Sequence, residues 1–580
     1  MRENERRKSA TSQEQQRQRD KASVVGRQGP SVALRGTDTL RTKKAPRICG
    51  PVAEFLQETV IIPTDRKKGR IPNWKGKDDH MDYNVYRGIT LLTLMMSTVD
   101  HVLALQDTDS SVNCSGASTR KSINFHYNIT CKGWRSSGQK RVRPARVRGE
   151  RMEAVERFDS PGRGRGLRVN RGFKVGELLF CCPPFASVLS VTERGGRCDF
   201  CFSRKEALAR CKKCKKAFYC NVKCQKGDWA MHKLECSAMM AFGEKWCPPE
   251  ATRLVARILA KKKTQKERCA SEQILLVEEL QSHVDDMDND KRDLQEAHIA
   301  ALHHFYSKHL EIPDHKDLLT LFSQVSCNGF TVEDDELSHM GTAIYPDAAL
   351  INHSCLPNTI VTYNGTVAEV RAVQEVKPGD EVLISYIDVL YPTVDRNARL
   401  RESYFFTCEC QECQTKSKDK EKLKTCKQSD LIEPKVISNM ARYARNTIRE
   451  FRAFKHKKSP SDLLEMCEQS LEKMGTVFDD SNVYMLHMMY QAMGVCLFME
   501  DFHGAISYGE KIIKPYSRLY PPYSLNVSSM YLKLGRLYMG LDRRSAGLCA
   551  LKKAMAIMEV AHGKDHHYLT ELRNEMTQQN

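Results

Sequence analysis

The sequence predicts an α+β multidomain protein with a split β-rich domain, an inserted zinc-binding segment, a second zinc site and a helical C-terminal domain. Three observations lead to this prediction. Two blocks of short runs rich in Val, Ile and Tyr flank a cysteine-rich segment and a helical segment. Two groups of cysteines have the spacing of zinc ligands. The last 150 or so residues, about 428–580, repeat apolar residues at helical spacing.

The first element, residues 1–150, is a basic leader to which no function is assigned. It holds 29 Lys+Arg against 15 Asp+Glu, whereas residues 151–580 hold 62 against 57. A sequence-specific DNA binder places its basic excess on the folded body, so this distribution argues against nucleic-acid binding as the main role. Residues 1–50 are polar and poor in aromatic residues, and we expect the leader to be largely disordered.

Part of this leader resembles a fragment of LINE-type reverse transcriptases. The resemblance rests on Glu58-Thr-Val-Ile-Ile-Pro63 and Tyr86-Arg-Gly-Ile-Thr-Leu-Leu92, and it covers roughly forty residues. Residues 1–150 lack the paired-aspartate strand that metal-assisted phosphoryl transfer by such polymerases requires. We therefore interpret the segment as a remnant without polymerase activity.

The cysteine content indicates a reducing compartment. The chain has 23 cysteines, and residues 1–30 lack the apolar core of a secretory signal. The apolar run Ile89–Met96 is too short to cross a bilayer. We expect a protein of the cytoplasm and nucleus without membrane association, in which clustered cysteines bind metal rather than form disulfides.

The segment between Cys198 and Cys236 carries eight potential zinc ligands within 39 residues. Eight ligands fill two closed tetrahedral sites and leave no open position for catalysis, so a structural role is predicted. Scattered core thiols are the alternative, but this spacing disfavours them. A RING-like cross-brace would also interleave two sites, although here the second pair lies too close to the first. The predicted sets are Cys198, Cys201, Cys220 and Cys224 for one ion and Cys211, Cys214, His232 and Cys236 for the other.

Five strands rich in Val, Ile and Tyr and one helix are predicted around this segment, apart from a further apolar run described below. The helix, within a helical insert at about Pro249–Leu310, covers Glu272–Val284, where apolar residues recur at helical spacing. A Lys-rich linker is predicted from Lys416 to Lys427. The predicted strands are Leu178–Cys182, Ser187–Val191, Thr359–Tyr363, Val367–Ala372 and Glu381–Ser385.

Three motifs suggest a ligand pocket in the β-rich domain. Asn352-His-Ser-Cys-x-Pro-Asn358 follows an apolar run, Ala348–Ile351, expected to be a strand, and its polar side chains suit an otherwise apolar pocket. Gly379–Tyr386 reads as a strand that ends in an aromatic hydroxyl. Ser160–Leu167 contains Gly-x-Gly, which alone would indicate only a flexible turn. A second cysteine group, Cys408-x-Cys410-x2-Cys413, follows these motifs.

The C-terminal domain is predicted to be a stack of helical hairpins. Tyr490-x2-Met493-Gly494-x2-Leu497 and Tyr531-x2-Leu534-Gly535-x2-Tyr538 echo each other 41 residues apart, and the small glycine lets two helices approach. Ala554 falls at a matching packing position. This pattern is typical of tetratricopeptide-like (TPR-like) pairs. A generic helical bundle is the alternative.

Together, these motifs resemble the SET-domain protein lysine methyltransferases with an inserted MYND zinc finger, an arrangement found in the SMYD family. Ala217–Lys226 and Trp229–Cys236 carry the resemblance to the MYND finger, and the likeness extends from Val155 to the C-terminus. The resemblance implies a SET N-terminal part at 151–197, a MYND finger at 198–236 and a helical insert at 237–325. It further implies a SET core at 326–392, a post-SET zinc site at 393–415 and a TPR-like domain at 428–580.

The resemblance also implies the residues of the site. The cofactor is S-adenosylmethionine, and three zinc ions are expected. Cys355 would complete the third zinc site with Cys408, Cys410 and Cys413. Tyr386 would be catalytic, and we expect it to orient the substrate amine rather than to act as a base, because a phenol is mostly protonated at neutral pH. The implied cofactor-binding residues are Gly162, Arg163, Gly164, Arg165, His283, Asn328, Asn352, His353, Tyr404 and Phe406.

The expected function is S-adenosylmethionine-dependent methylation of lysine side chains in histones, such as histone H3, and in non-histone proteins, with a role in transcription regulation. The alternative is a non-enzymatic MYND and TPR adaptor with a decayed SET fold. Asn352, His353 and Tyr386 are all present, which favours the enzyme. The resemblance further implies proline-rich partners for the MYND finger and a heat-shock chaperone for the helical domain. A monomer is expected.

Overall fold

The structure is a computed structural model that describes residues 152–205, 207–265, 267–426, 433–455 and 457–578. The predicted disorder of residues 1–150 and their reverse-transcriptase-like fragment lie outside the described residues. Within those residues, no helix combines the length and the apolar character needed to cross a bilayer.

The β-rich domain is assembled from strands on both sides of the cysteine-rich segment. Strand β3 pairs with β11, and β4 pairs with β8, so sequence-distant halves share two three-stranded antiparallel sheets, β10-β11-β3 and β4-β8-β7. Strands β1 and β2 form a hairpin, and β9 pairs with β12 in parallel. The strands are β1 Val155–Ser160, β2 Gly164–Val169, β3 Leu178–Cys182, β4 Ala186–Leu189, β7 Gly329–Glu333, β8 His339–Ile344, β9 Asn352–His353, β10 Thr359–Asn364, β11 Val367–Ala372 and β12 Leu383–Ile384.

The inserted segment consists of a short hairpin and four helices. Strands β5 (Ala209–Arg210) and β6 (Phe218–Tyr219) form the hairpin. The side chain of Asn221 caps the first helix by accepting a hydrogen bond from the Cys224 N–H, at 3.0 Å. The helices are α1 Val222–Phe242, α2 Glu250–Thr264, α3 Asn289–Tyr306 and α4 His315–Asn328.

A buried ion cluster fixes the inserted segment to the β-rich domain. Glu235 on α1 accepts from Arg253 and Arg257 on α2, at 3.1 and 2.7 Å. Arg257 also pairs with Asp228, at 2.9 Å, and Arg253 donates to the carbonyl of Leu189 on β4, at 2.7 Å. Buried charges are tolerated only when they are paired and hydrogen-bonded, as they are here. The zinc segment is thus held rigidly against the sheet.

The prediction of a helix over Glu272–Val284 is wrong. The segment is irregular, with 3-10 turns at Val277–Glu279 and Val284–Asp286. The carboxylate of Asp347 accepts the backbone N–H groups of Gln273, Ile274 and Leu275, at 2.8 to 2.9 Å. These N–H groups therefore have a partner from a distant part of the chain, and the apolar spacing reflects contacts with the core rather than a helical face.

The other predicted elements are confirmed only in part. Strands Leu178–Cys182 and Val367–Ala372 have the predicted bounds, and the strand predicted at Thr359 extends by one residue to Asn364. The strand predicted at Ser187–Val191 instead covers Ala186–Leu189, and Val191 begins a 3-10 turn. The run Ala348–Ile351 is not a strand: Ala348–Leu350 form a 3-10 turn closed by backbone hydrogen bonds. The strand predicted at Glu381–Ser385 is reduced to Leu383–Ile384.

Helices form the remainder of the described chain. Three helices follow the β-rich domain: α5 Thr393–Tyr404, α6 Gln411–Thr415 and α7 Asp419–Lys422. The predicted Lys-rich linker is therefore partly helical, and the buried amine of Lys422 donates to the carbonyls of Val389 and Tyr391, at 2.8 and 3.1 Å. Such a buried amine anchors the segment rather than letting it move freely.

The C-terminal helices pack each against the next, as predicted for a helical stack. An added Cβ at Gly535 would lie 2.7 Å from the side chain of Leu551, so glycine is needed where these two helices meet. Ala554 is fully buried at the same contact. The helices are α8 Pro434–Phe454, α9 Pro460–Gly475, α10 Val483–Phe498, α11 Phe502–Leu519, α12 Leu525–Gly540, α13 Arg544–Ala561 and α14 His567–Gln578.

Candidate active site

The glycine-rich motif forms the turn between β1 and β2. Gly162 and Gly164 have φ angles of +72° and +73°, in the left-handed region that favours glycine, and open space surrounds the position of a Cβ at each. The turn can therefore lie along a ligand without obstruction by side chains. Arg163 forms an ion pair with Glu381 across the turn, at 3.2 Å. Arg165 lies on β2, and its carbonyl accepts a hydrogen bond from Asn352.

Asn352 is fixed between β2 and β12. Its Nδ2 donates to the carbonyl of Arg165, at 3.1 Å, and to Oε1 of Glu381, at 2.8 Å. This arrangement depends on Gly166, because a Cβ there would lie 2.8 Å from Glu381 Oε1 and 3.0 Å from Asn352 Nδ2. Glu381 thus links the glycine-rich turn to the Asn-His motif, and sequence analysis had not assigned it to the site.

His353 and Tyr386 are joined where β9 and β12 end. The backbone N–H of Tyr386 donates to Nδ1 of His353, at 2.9 Å, and the Tyr386 hydroxyl donates to the carbonyl of Ile351, at 2.5 Å. Burial raises the pKa of Tyr386 well above that of a free phenol, and the nearby Tyr404 and Glu381 add to the shift. The hydroxyl is therefore protonated at neutral pH, with its oxygen fixed in direction.

Aromatic rings from the end of α5 close the site. The hydroxyl of Tyr404 donates to the carbonyl of Tyr386, at 3.4 Å, and the two ring centroids are 5.0 Å apart. The ring of Phe406 lies 5.9 Å from that of His353 and 6.3 Å from that of Tyr386. Three aromatic rings, those of His353, Tyr404 and Phe406, thus pack against the ring of Tyr386.

His283 contacts the segment that follows α5, and Asn328 contacts the helical insert. The ring of His283 stacks on Phe405 at a centroid distance of 5.0 Å. The amide of Asn328 donates to the carbonyls of Gln281 and Gln324, both at 2.8 Å. Asn328 therefore holds the loop that carries His283, and this loop covers Phe405, which sequence analysis missed. The only sequence signal for Phe405 is its position in the run Tyr404-Phe405-Phe406, which does not indicate which of the three rings faces the site.

The predicted third zinc set is brought together behind His353. Ligand atoms of Cys355, Cys408, Cys410 and Cys413 all lie within 4.8 Å of one another, and all four residues are buried. The sulfur atoms of Cys355 and Cys413 are 3.5 Å apart. A tetrahedral zinc–thiolate site, with zinc–sulfur bonds of about 2.3 Å, has sulfur–sulfur edges of about 3.8 Å. The four thiols therefore fit a zinc ion.

Arg396 and His353 surround this third zinc set. The guanidinium of Arg396 is buried and donates to Cys355 Sγ, at 3.2 Å, and to Cys413 Sγ, at 3.4 Å. Its positive charge offsets the negative charge of four thiolates around one divalent ion. Nε2 of His353 lies 3.4 Å from Cys355 Sγ. One histidine thus contacts the backbone of Tyr386 on one side and a zinc ligand on the other.

The two predicted zinc sets of the inserted segment are also each brought together. In the first, the sulfur of Cys201 lies 3.6 Å from that of Cys220 and 3.9 Å from that of Cys224. In the second, Cys211 and Cys236 are 3.9 Å apart, and Cys214 lies 3.6 Å from Nε2 of His232. The sets are Cys198, Cys201, Cys220 and Cys224, and Cys211, Cys214, His232 and Cys236.

A split β-rich domain with an inserted zinc finger, a tail that supplies three of four zinc-ligating cysteines, and a tyrosine beside an Asn-His motif define the SET-and-MYND class of proteins. Residues 198–236 match the MYND finger family model. The chain is 66% identical over 430 residues to human N-lysine methyltransferase SMYD2, covering 74% of this chain and 99% of that protein. It is 65% identical over 422 residues to the chicken protein of the same name, covering 73% and 97%.

A frog relative, N-lysine methyltransferase SMYD2-A of Xenopus laevis, is 64% identical over 424 residues, covering 73% of this chain and 99% of that protein. The chain belongs to the SMYD family of N-lysine methyltransferases. The predicted family, fold class, enzyme class and three zinc sites are thereby confirmed. The predicted cofactor, S-adenosylmethionine, forms part of the proposed function. The predicted domain boundaries and individual residue roles stay predictions.

Proposed function

We propose that this chain transfers methyl groups from S-adenosylmethionine to lysine side chains of histones, such as histone H3, and of non-histone proteins. The observation that carries the proposal is the convergence of Tyr386 with the Asn352–His353 motif inside a shell of aromatic rings. The family provides the reaction class, and this geometry supports a site for it beside Tyr386. The histone substrates and a role in transcription regulation rest on the family resemblance.

The side chains around Tyr386 prepare a lysine for the reaction. The amine of lysine has a pKa of about 10.4 in water and arrives protonated. Tyr404, Phe406 and the ring of Tyr386 surround it with apolar surface, which disfavours the charged form and lowers its pKa. When bound, S-adenosylmethionine supplies an electrophilic methyl group. The remaining contribution of the chain is to hold the amine in line with that group.

Tyr386 acts in this scheme by orientation rather than by proton abstraction. Its raised pKa makes a phenolate base costly near neutral pH. Its hydroxyl hydrogen is directed to the carbonyl of Ile351, which leaves the oxygen lone pairs directed away from that carbonyl. A fixed phenol oxygen can accept a hydrogen bond from the amine and contact the polarised methyl group. The ring at the same time forms one wall of the channel.

The test is methyl transfer from labelled S-adenosylmethionine to a lysine-containing histone H3 peptide. Tyr386→Phe and His353→Ala are expected to lower kcat at least tenfold. Tyr345→Phe is the matched control, because the Tyr345 hydroxyl also donates to a backbone carbonyl, that of Thr366 at 2.8 Å. This control should retain transfer. Full activity of both site variants, or no transfer by the wild type, would favour the adaptor function instead.

We also propose that the MYND finger binds proline-rich partners. The finger exposes three large apolar side chains, Phe200, Val222 and Trp229, and the amine of Lys213 lies 6.0 Å from the Trp229 ring centroid. Exposed aromatic rings suit the extended, preformed conformation of proline-rich segments. Trp229→Ala should weaken binding of a fluorescent proline-rich peptide. Leu356→Ala, another exposed apolar residue outside the finger, should not.

The remaining assignments are proposals that rest on the family and on sequence. The helical domain engages a heat-shock chaperone, the protein is monomeric, and it occupies the cytoplasm and nucleus. Light scattering of the purified chain tests the oligomeric state, and fractionation of cells tests the localisation. Co-purification of the chaperone with the full chain, and its loss on deletion of residues 433–578, tests the chaperone contact.

A further inference from the structure

A fourth cluster of metal-ligating side chains lies far from the zinc sets in sequence. Asp335 is in the loop between β7 and β8. His562 follows the last residue of α13, His566 precedes α14, and His567 is the first residue of α14. Four side chains of ligand type therefore meet where the C-terminal helices contact the β-rich domain.

The distances within this cluster are short. Nδ1 of His566 lies 3.4 Å and Nδ1 of His562 lies 3.8 Å from Oδ1 of Asp335. Nε2 of His567 lies 3.8 Å from Oδ2 of the same carboxylate. The side chains of His562 and His566 are 3% and 5% exposed and that of His567 is 62% exposed. The cluster is thus buried on one side and open to solvent through His567.

The polar atoms of the cluster are not satisfied by the surrounding protein. Within the described residues, Oδ1 of Asp335, both ring nitrogens of His562 and Nδ1 of His566 are buried without a hydrogen-bond partner. Buried polar groups are nearly always paired, and each exception points to a missing partner such as an ion or water.

We propose that Asp335, His562, His566 and His567 bind a divalent transition metal ion, with zinc the ion expected. Three imidazole nitrogens and one carboxylate are a ligand set that zinc binds tetrahedrally, with ligand–ligand edges of about 3.3 Å. The ligand atoms of Asp335, His566 and His567 already lie within 4.8 Å of one another. His562 approaches this group through Oδ1 of Asp335, at 3.8 Å, and its ring must move further to bind the same ion. His567 is exposed and can move to close the site.

The charges around the cluster favour a cation. Burial of Asp335 and the nearby carboxylates of Asp334, Glu336 and Glu571 disfavour an isolated negative charge there. Two cations also act on the cluster, and each is ion-paired: Arg371 with Glu369, at 2.9 Å, and Arg197 with Asp334. A bound dication would relieve the repulsion among the carboxylates, since the ion is the largest local charge in such a site.

The cluster lies beside contacts that join the helical domain to the β-rich domain. Next to it, Arg536 on α12 pairs with Glu336 at 2.9 Å, and Thr362 on β10 donates to the carbonyl of Ala561 at 3.3 Å. These contacts form one junction between the helical domain and the β-rich domain. A metal that joins Asp335 to the two ends of the α13–α14 connection would lock this junction.

The test is metal stoichiometry in the full chain. Protein that holds three zinc ions at its cysteine sites is titrated with zinc against a chromophoric chelator, and bound zinc is counted by mass spectrometry of the metal. The wild type is expected to take up one further equivalent. Asp335→Asn with His566→Gln should take up none and still hold three. His567→Gln, at an exposed position, should weaken the additional site at least tenfold without a risk to folding.

A matched control and a spectrum make the result decisive. His315→Gln removes an exposed histidine 2.9 Å from a carboxylate, that of Glu296, and should keep the additional equivalent. Cobalt added to the three-zinc protein should give visible bands without thiolate charge transfer. A wild type that stops at three equivalents, or a His567→Gln protein that binds the additional ion as tightly as wild type, would overturn the proposal.

Discussion

Replacing Gly166 with alanine tests whether the contact of β2 with Asn352 shapes the cofactor site. The new Cβ would lie 2.8 Å from Glu381 Oε1, 3.0 Å from Asn352 Nδ2 and 3.1 Å from Phe158 Cε1. Three such contacts force side chains to move, at a cost of about 1–3 kcal/mol. Because Gly166 does not have a left-handed φ angle, the cost comes from contact and not from backbone strain.

Gly166→Ala is expected to weaken the binding of S-adenosylmethionine. The Cβ displaces the amide of Asn352 and the carboxylate of Glu381, whose mutual hydrogen bond measures 2.8 Å. If about 1.4 kcal/mol of this cost appears in binding, the Kd for S-adenosylmethionine rises about tenfold. Calorimetric titration of the purified protein measures this Kd directly, and thermal unfolding of the same sample reports any loss of stability.

Gly172→Ala is the matched control for this prediction. Its nearest atoms to an added Cβ are 3.6 and 3.7 Å away, ordinary van der Waals distances, and it also lacks a left-handed φ angle. Gly172→Ala should bind S-adenosylmethionine as the wild type does. Wild-type affinity in a folded Gly166→Ala protein would refute the role given to the contact with Asn352 and Glu381.

Two further predictions concern buried cations. Arg396→Met removes the donors to Cys355 and Cys413, worth about 3 kcal/mol together, so a chelator should extract one zinc roughly a hundredfold faster. An unchanged extraction rate would contradict this role. Burial lowers the pKa of Lys533 from 10.5 to about 8, so the folded protein releases this proton at a lower pH than the unfolded protein does. The free energy of unfolding of the wild type should therefore rise by about 3 kcal/mol between about pH 8 and pH 10.5. Lys533→Met should abolish that rise when unfolding is measured against pH, and a rise of equal size in the variant would exclude Lys533 as its source.

The ligand pairing of the two zinc sites in the inserted segment could be predicted because it depends on residue type and order. Thiols and imidazoles at short spacing have few uses in a reducing compartment, and closed tetrahedral sites require four ligands each. The family resemblance then assigned Cys355 to the distant group at Cys408. The structure brings these residues together without any change to the predicted sets.

The errors arose where distant polar side chains decide local structure. The carboxylate of Asp347 binds the backbone at Gln273–Leu275, so a segment with helical apolar spacing forms no helix. Lys422 lies in a Lys-rich stretch that suggests a linker, yet its amine is buried against two carbonyls. Glu381 and Phe405 contact the site through pairings that span over a hundred residues in sequence. Such long-range partners leave no periodic signal in the chain.

Loss of zinc from the tail can be compared with loss of zinc from the inserted finger. We expect the ion bound by Cys355, Cys408, Cys410 and Cys413 to position Tyr404 and Phe406 around Tyr386. Cys410→Ser and Cys224→Ser should each hold one zinc fewer than the wild type. Only Cys410→Ser should also lose S-adenosylmethionine binding and transfer to a free lysine peptide. Wild-type transfer by a Cys410→Ser protein that has lost this zinc would contradict the account.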